Sequence, residues 1–492
     1  MNFITPNTLY LCIDQGGHAS RAIIFNHVGE LISSAYCNVA TEHPAKHYVE
    51  LNAKDVIDSI NSSIKQVLEK IGDKKKHIVY AGLATQRSNI VCWNKKTGEA
   101  LSPIISWQDR RNSEWLKQFG DKNEYIHKKT GLFLSPHYGA SKLRWCIDHI
   151  PAVKEALNNN TLVFGPMASF ISYHLTKEKF LLADPVNASR TQLWNLKSHS
   201  WDTELLELFD IPLSALPHCV PSMHYYGTLD LDRLDGLDDL KIPLRLVSGD
   251  QSAAMYAYGH LQPDTAYVNT GTGAFLSRSS GPLALYSRRL LTSLIFRDSE
   301  LRGGSQNHFV LEGTVNGAGS AIEWLAKQYP DTDIFKHLPQ WLDEVETPPL
   351  FLNAVSGLAA PFWCPDLISR FDREATIAEK SVAIIESIIF LLRTCLDEMC
   401  KLSSPPEQIQ ITGGFASLNV LNQRLADLSG LSVYRPTDCE ATARGTAYLL
   451  AGQPHHWPEE DAGDWFNPVE NNELEKRYEK WMALMLEEIR EK

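Results

Sequence analysis

The chain has 492 residues, 43% hydrophobic and 22% charged, the balance of a folded globular protein. At roughly 100–200 residues per domain it has room for two large domains, and its formal net charge of -12 excludes the generally basic surface that binds nucleic acid by displacing counterions. Nine scattered cysteines without a Cys-x-x-Cys pair exclude a disulfide framework or zinc cluster, and no apolar run approaches the roughly 20 residues of a membrane span. No Lys or Arg precedes Arg21 and Asp14 interrupts the first apolar stretch, so the start does not read as a signal peptide. These features predict a reducing cytoplasmic setting, with neither nucleic acid nor membrane as partner.

Along the chain, "TLYLCID", "SRAIIFN" and "GELISSAYCNV" read as three strands of a meander, the first turn falling at Gly16-Gly17. Val56, Ile57, Ile60, Ile64, Val67, Leu68 and Ile71 then repeat with a helical period, and "HIVYAGLA" is a buried strand running into the polar loop "TQRSN". The opening pattern recurs at 265–279, "TAYVNTGTGAFLSRS", where Thr270-Gly271-Thr272-Gly273 takes the place of Asp14–Gly17. A long apolar helix over roughly 376–401, the strand-to-loop stretch "IQITGGFAS" and an amphipathic helix near the C-terminus, read as packing on its own domain, complete the reading. The predicted fold class is α/β, in two halves that each open on a Gly-rich hairpin, with residues 1–252 as one domain and 253–492 as the other.

Two Gly-rich hairpins facing each other suit phosphoryl transfer, which needs backbone N–H groups around phosphates, a cation with an acid to hold it, and a base for the attacking hydroxyl. Gly16, Gly17 and His18 form one candidate nest, and Gly271, Thr272 and Gly273 the other. Asp14, at the end of a strand beside the first turn, is placed to hold magnesium, and Asp250 in "VSGDQS" ends another strand at the domain junction as a candidate base. Gly413-Gly414 lets backbone come close to a flat base or ribose. Adjacent His455 and His456 have no partner at ligand spacing and read as loop residues.

In order and in local sequence these elements resemble the FGGY family of carbohydrate kinases, glycerol kinase branch, from about residue 8 to about 452. The matching stretches include "DQGGHASRAIIF", "QRSNIVCWNKKTGEAL", "SWQDRRN", "SKLRWCIDH", "NASRTQLWNL", "SGDQSAAMYAYG", "NTGTGAFL", "GSAIEWL", "SGLAAPFWCPD", "TGGFASLN" and "ARGTAYLLAG". The resemblance implies two actin-like (ribonuclease H-like) ATPase domains closing over ATP, Mg2+ and a sugar or polyol. It further implies Asp14 on the metal side, Arg21 near the phosphates, and Gly271 and Thr272 in the second phosphate turn. Gly319, Gly413 and Gly414 match the adenosine side, Asp250 the general base, and Arg87, Trp107, Gln251 and Phe275 the acceptor pocket. A homodimer is compatible with this reading.

Departures from the branch pattern sharpen the expectations. Gly17 and His18 stand where the branch has two threonines, so two hydroxyls are lost from the first hairpin, and backbone donors with the His18 N–H are expected to take over. Ser88 replaces a glutamate and His137 a tyrosine in the acceptor pocket, which argues against glycerol and for a bulkier polyol or sugar. Thr412 replaces an aspartate, and the stretch after "PFWCPD" is shorter than the family's, which bears on oligomer contacts and allostery. A degenerate kinase that binds nucleotide or sugar as a regulator is the alternative, and an actin- or chaperone-like ATPase leaves the "QRS", "SWQDRR" and "GDQ" elements unexplained.

Overall fold

The computed structural model describes all residues except 1–4, 235, 236, 238, 299–306, 438, 439, 458–462, 491 and 492, so Cys439 lies outside the described residues. The expected meander is present as β1 (Leu9–Gln15), β2 (Ala19–Asn26) and β3 (Leu31–Asn38), paired antiparallel in chain order. Helix α1 (Ala53–Ile71) follows, capped by the Asn52 side chain on the amides of Lys54 and Asp55. Its Val56, Ile60, Ile64, Val67 and Leu68 stripe is buried against the first sheet, as the period requires. Strand β4 (Ile78–Thr85) then pairs parallel to β1, completing the central part of that sheet with β5 (Met223–Thr228) and β6 (Pro243–Gly249). The order is β5-β6-β4-β1-β2-β3, and a short helix α2 (Asp250–Ala254) leaves its edge.

The second half repeats the plan. Strands β7 (Thr265–Thr270) and β8 (Ala274–Gly281) form the second hairpin, followed by β9 (Leu291–Arg297), β10 (Asn307–Val315) and helix α3 (Gly319–Ala326). The long helix is α4 (Ile377–Cys400), started by a capping box between Thr376 and Glu379 and buried along most of its length. Strands β11 (Gln408–Gly413), β12 (Ser432–Arg435) and, after helix α5 (Ala441–Leu450), β13 (Asp464–Phe466) finish the sheet in the order β9-β10-β8-β7-β11-β12-β13. From β3 to β5 in the first sheet and from β10 to β13 in the second, the sequence of pairings is identical: two antiparallel, two parallel, one antiparallel. The C-terminal helix α6 (Asn472–Arg490) packs on its own half, as expected, with Trp481 fully buried and its Nε1 donating to the Phe351 carbonyl at 2.9 Å. Among the described residues no helix is long and apolar enough to cross a membrane.

The halves meet along two seams. At one, α5 crosses α2 with so little clearance that a Cβ on Gly445 would lie 1.8 Å from the Ala253 carbonyl oxygen, while a Cβ on Gly82 of β4 would lie 2.5 Å from Thr446 Cγ2. At the other, β9 is bolted to the first half: Thr292 N donates to the Gly131 carbonyl at 3.0 Å, and His127 Nε2 lies 3.1 Å from the Leu290 carbonyl. The cavity between these seams is the candidate site.

Candidate active site

Strand ends converge on a cavity of about 360 Å3 lined by both halves. Asp14 enters it from β1, opposite Arg21 in the β1–β2 register, and accepts from Arg21 Nη1 at 3.3 Å. Asp250 enters at the start of α2, and Gln251 N donates to its Oδ1 at 2.7 Å. Arg87 follows β4 and passes over Gly249, where a Cβ would sit 2.5 Å from its Cγ, so this glycine is required by close approach. Its guanidinium donates through Nη2 to Gln251 Oε1. Phe275 on β8 closes the wall, with Asn269, Thr412 and Thr442 supplying further polar groups. Of the predicted site residues, Asp14, Arg21, Arg87, Asp250, Gln251 and Phe275 therefore share one chamber.

Electrostatics in the chamber are those of buried carboxylates partly compensated by arginine. Burial, then the Asp250 charge, raises the Asp14 pKa to about 7, and Arg21 only partly opposes them. Burial likewise raises Asp250, with Arg87 pulling in the other direction. A carboxylate with raised proton affinity is the state wanted in a general base, and a buried acid short of positive charge is the state wanted in a cation ligand.

Ser88, Trp107 and His137 form a neighbouring cluster just outside that lining. Ser88 is buried, adopts φ 66°, and its Oγ finds no hydrogen-bond partner. The Trp107 and His137 rings lie 5.3 Å apart, centroid to centroid. Beneath them the fully buried Lys142 donates from Nζ to the carbonyls of His137 at 2.7 Å and Ser88 at 3.2 Å, tying the two loops together. Burial, then Arg110, holds the His137 pKa well below the ordinary range.

The hairpin tips are built by close backbone packing. In the second, Gly319 N donates to the Gly271 carbonyl at 2.9 Å and Ser320 N to that of Thr272 at 3.0 Å, which brings α3 onto the Gly271–Thr272 turn. Gly413 has φ 93°, and a Cβ there would lie 2.2 Å from the Thr270 carbonyl oxygen, so Gly413 and Gly414 abut the same turn. In the first, the Gly16 amide is used within the hairpin, donating to the Ala19 carbonyl at 3.0 Å, as the Gly271 amide is to Gly273 at 2.8 Å. A Cβ on Gly17 would lie 3.0 Å from Gln86 Nε2, so the tip leans on the loop after β4. His18 is exposed and its ring has no hydrogen-bond partner among the described residues.

Two family models match the chain: the N-terminal domain of the FGGY family of carbohydrate kinases over residues 9–257, and its C-terminal domain over residues 266–452. The chain belongs to the FGGY family of carbohydrate kinases. This FGGY kinase is 31% identical over 495 residues to a glycerol kinase of Natranaerobius thermophilus, covering 96% of each chain. It is 32% identical over 493 residues to a glycerol kinase of Streptococcus pyogenes, covering 96% and 94%. Its fold matches a Plasmodium falciparum glycerol kinase with ADP at TM-score 0.86, 23% identity and 98% coverage of each chain. It also matches a xylulose kinase of Rhodospirillum rubrum at TM-score 0.83 and 19% identity, covering 97% and 98%. The two α/β halves are thus those of the actin-like (ribonuclease H-like) architecture, and the chain is a phosphotransferase.

Sequence reasoning missed three groups that shape the site of this FGGY kinase. Glu312 on β10 lies at the cavity floor, 3.6 Å from Arg87 Nη1, and accepts from Arg190 Nη2 at 2.8 and 3.1 Å. Lys142 is the third. Glu312 sits in an apolar strand, and although Arg190 and Lys142 lie in the matching stretches "NASRTQLWNL" and "SKLRWCIDH", only the long-range fold shows what they touch.

Proposed function

We propose that this FGGY kinase transfers the γ-phosphoryl group of ATP to a hydroxyl of a small sugar or polyol, with Asp250 as general base and glycerol not its best acceptor. Residues 1–252 act as the acceptor-binding domain and 253–492 as the ATP-binding domain. The observation that carries the reading is the meeting of Asp14, Arg21, Arg87, Asp250 and Gln251 in one chamber between two duplicated sheets.

Arg87 and Gln251 orient the acceptor hydroxyls, and Phe275 gives the ring or carbon chain an apolar wall. Asp250 takes the proton of the attacking hydroxyl, its burial raising its proton affinity and Arg87 opposing that rise. Amides of Gly17, His18 and Thr272 and the Arg21 guanidinium face the phosphates, with Gly319, Gly413 and Gly414 leaving room for the adenosine. Asp14 fits a magnesium ion, since a buried carboxyl with a pKa of about 7 is short of positive charge. When bound, that ion neutralises charge on the transferring phosphoryl group.

The orphaned Ser88 Oγ and the His137 imidazole supply the acceptor with a short hydroxyl and a ring instead of a carboxylate and a phenol. That favours an acceptor longer than glycerol. ADP release with ATP and Mg2+ tests this against glycerol, xylulose, gluconate and a set of pentitols, hexitols, ketoses and aldoses. A longer acceptor should exceed glycerol in kcat/KM; a preference for glycerol overturns the substrate reading. Silence across the set favours a nucleotide- or sugar-binding regulator, the reading motivated by the two hydroxyls missing at Gly17 and His18.

A further inference from the structure

We propose that Glu312, held by Arg190 and Ser293, is a positioning residue that sets the Arg87 guanidinium in the acceptor pocket. The proposal rests on the reading of Arg87 as an acceptor ligand.

Arg87 uses its two terminal nitrogens differently. Nη2 donates to Gln251 Oε1 at the cavity wall, while Nη1 pairs with Glu312 Oε2 at 3.6 Å beneath it. Glu312 is itself fixed from behind: Arg190 Nη2 donates to both of its oxygens, at 2.8 and 3.1 Å, and the Ser293 hydroxyl donates to Oε2 at 3.3 Å. Arg190 Nη2 also reaches Ser293 Oγ at 2.7 Å. The side chains of Arg87, Arg190 and Glu312 are only 9%, 4% and 4% exposed, so these contacts are shielded from bulk water.

The provenance of the groups makes this more than a buried ion pair. Arg87 follows β4 and Asp250 starts α2 in the first half, Arg190 follows the helix Pro185–Ser189 of the same half, and Glu312 and Ser293 lie on β10 and β9 of the second. The second half thus fixes a first-half acceptor ligand, across the seam where the halves are bolted. Charge supports the same reading, because the two guanidiniums are balanced by two carboxylates, Glu312 and Asp250. Burial works against the Glu312 carboxylate, and Arg190 and then Arg87 outweigh it and keep it ionised. Without that charge Asp250 is the remaining carboxylate for Arg87, and the guanidinium turns from Gln251 toward the base.

The test uses Glu312→Gln and the milder Ser293→Ala in the full-length enzyme, with Arg87→Lys as reference. Steady-state kinetics use the best acceptor of the set above, and crystal structures are determined for the wild type and both variants. Glu312→Gln should raise acceptor KM by about 10-fold or more, and Ser293→Ala by about 3-fold, with the KM for ATP within about 2-fold of wild type. The Glu312→Gln crystal structure should show the Arg87 guanidinium displaced from Gln251. An unchanged acceptor KM with Arg87 in place, or equal losses toward ATP and acceptor, overturns the proposal. If Glu312→Gln does not fold, Ser293→Ala decides, and if no acceptor turns over, the position of Arg87 in the crystals decides. An Arg87→Lys enzyme with wild-type acceptor KM would instead sink the acceptor reading itself.

Discussion

Asp14→Asn should stabilise the ligand-free enzyme at alkaline pH while removing its grip on magnesium-nucleotide. Asp14 is 5% exposed, and burial with the nearby Asp250 charge raises its pKa from the ordinary 3.8 to about 7. A raised folded-state value means that the native protein holds the proton more tightly than the unfolded chain. The stabilisation is fully present below about pH 4 and is lost as pH rises through about 7. The difference corresponds to about 4 kcal/mol at 1.36 kcal/mol per pH unit. Asparagine resembles the protonated acid and carries no such cost. Urea denaturation of both proteins without ligand, at pH 5, 6, 7 and 8, reads the effect as a difference between transition midpoints. The variant should be more stable than wild type by about 1.6 kcal/mol at pH 5 and by about 4 kcal/mol at pH 8, because the loss accumulates between the two pKa values. Parallel pH profiles, differing by less than about 1 kcal/mol between pH 5 and 8, would refute the reasoning.

Three further outcomes follow from the geometry. Gly413→Ala should cost about 3 kcal/mol or more in a urea titration, because φ 93° and a Cβ 2.2 Å from the Thr270 carbonyl oxygen both oppose a side chain. Lys142→Met keeps the stem but frees the carbonyls of Ser88 and His137, so acceptor KM should rise about 10-fold while the KM for ATP stays unchanged in steady-state assays. Ser88→Glu should raise the ratio of glycerol to longer-acceptor kcat/KM by about 10-fold or more, since a carboxylate accepts from two adjacent hydroxyls at once.

Much of the fold was legible because local chemistry and global packing agree. Alternation and turn glycines marked the two hairpins, and the apolar periods of α1 and α4 marked their buried faces. Asp14 and Asp250 were singled out because each ends an apolar strand beside a turn, where aspartate is more often only a turn former or cap, and their order among the other motifs is what marked them. Finer hydrogen bonding was not legible. The amides of Gly16 and Gly271 close their own hairpins, a choice set by the turn geometry rather than by residue type. The roles of Glu312, Arg190 and Lys142 remained hidden because Glu312 lies 122 residues from Arg190 and farther still from Arg87, and Lys142 lies 54 from Ser88, so no short motif brings the partners together. Gly445 and Gly82 are of the same kind, since only the crossing of α5 over the first sheet shows why neither tolerates a side chain.

The central claim is that Asp250 is the base in a phosphoryl transfer to a carbohydrate hydroxyl. Single-turnover transfer from ATP to the best acceptor, in wild type and Asp250→Asn at saturating concentrations of both, tests it most directly. The account predicts that the asparagine enzyme binds ATP and acceptor with near wild-type affinity and transfers phosphate about 100- to 10,000-fold more slowly. Transfer within about 3-fold of wild type would contradict it.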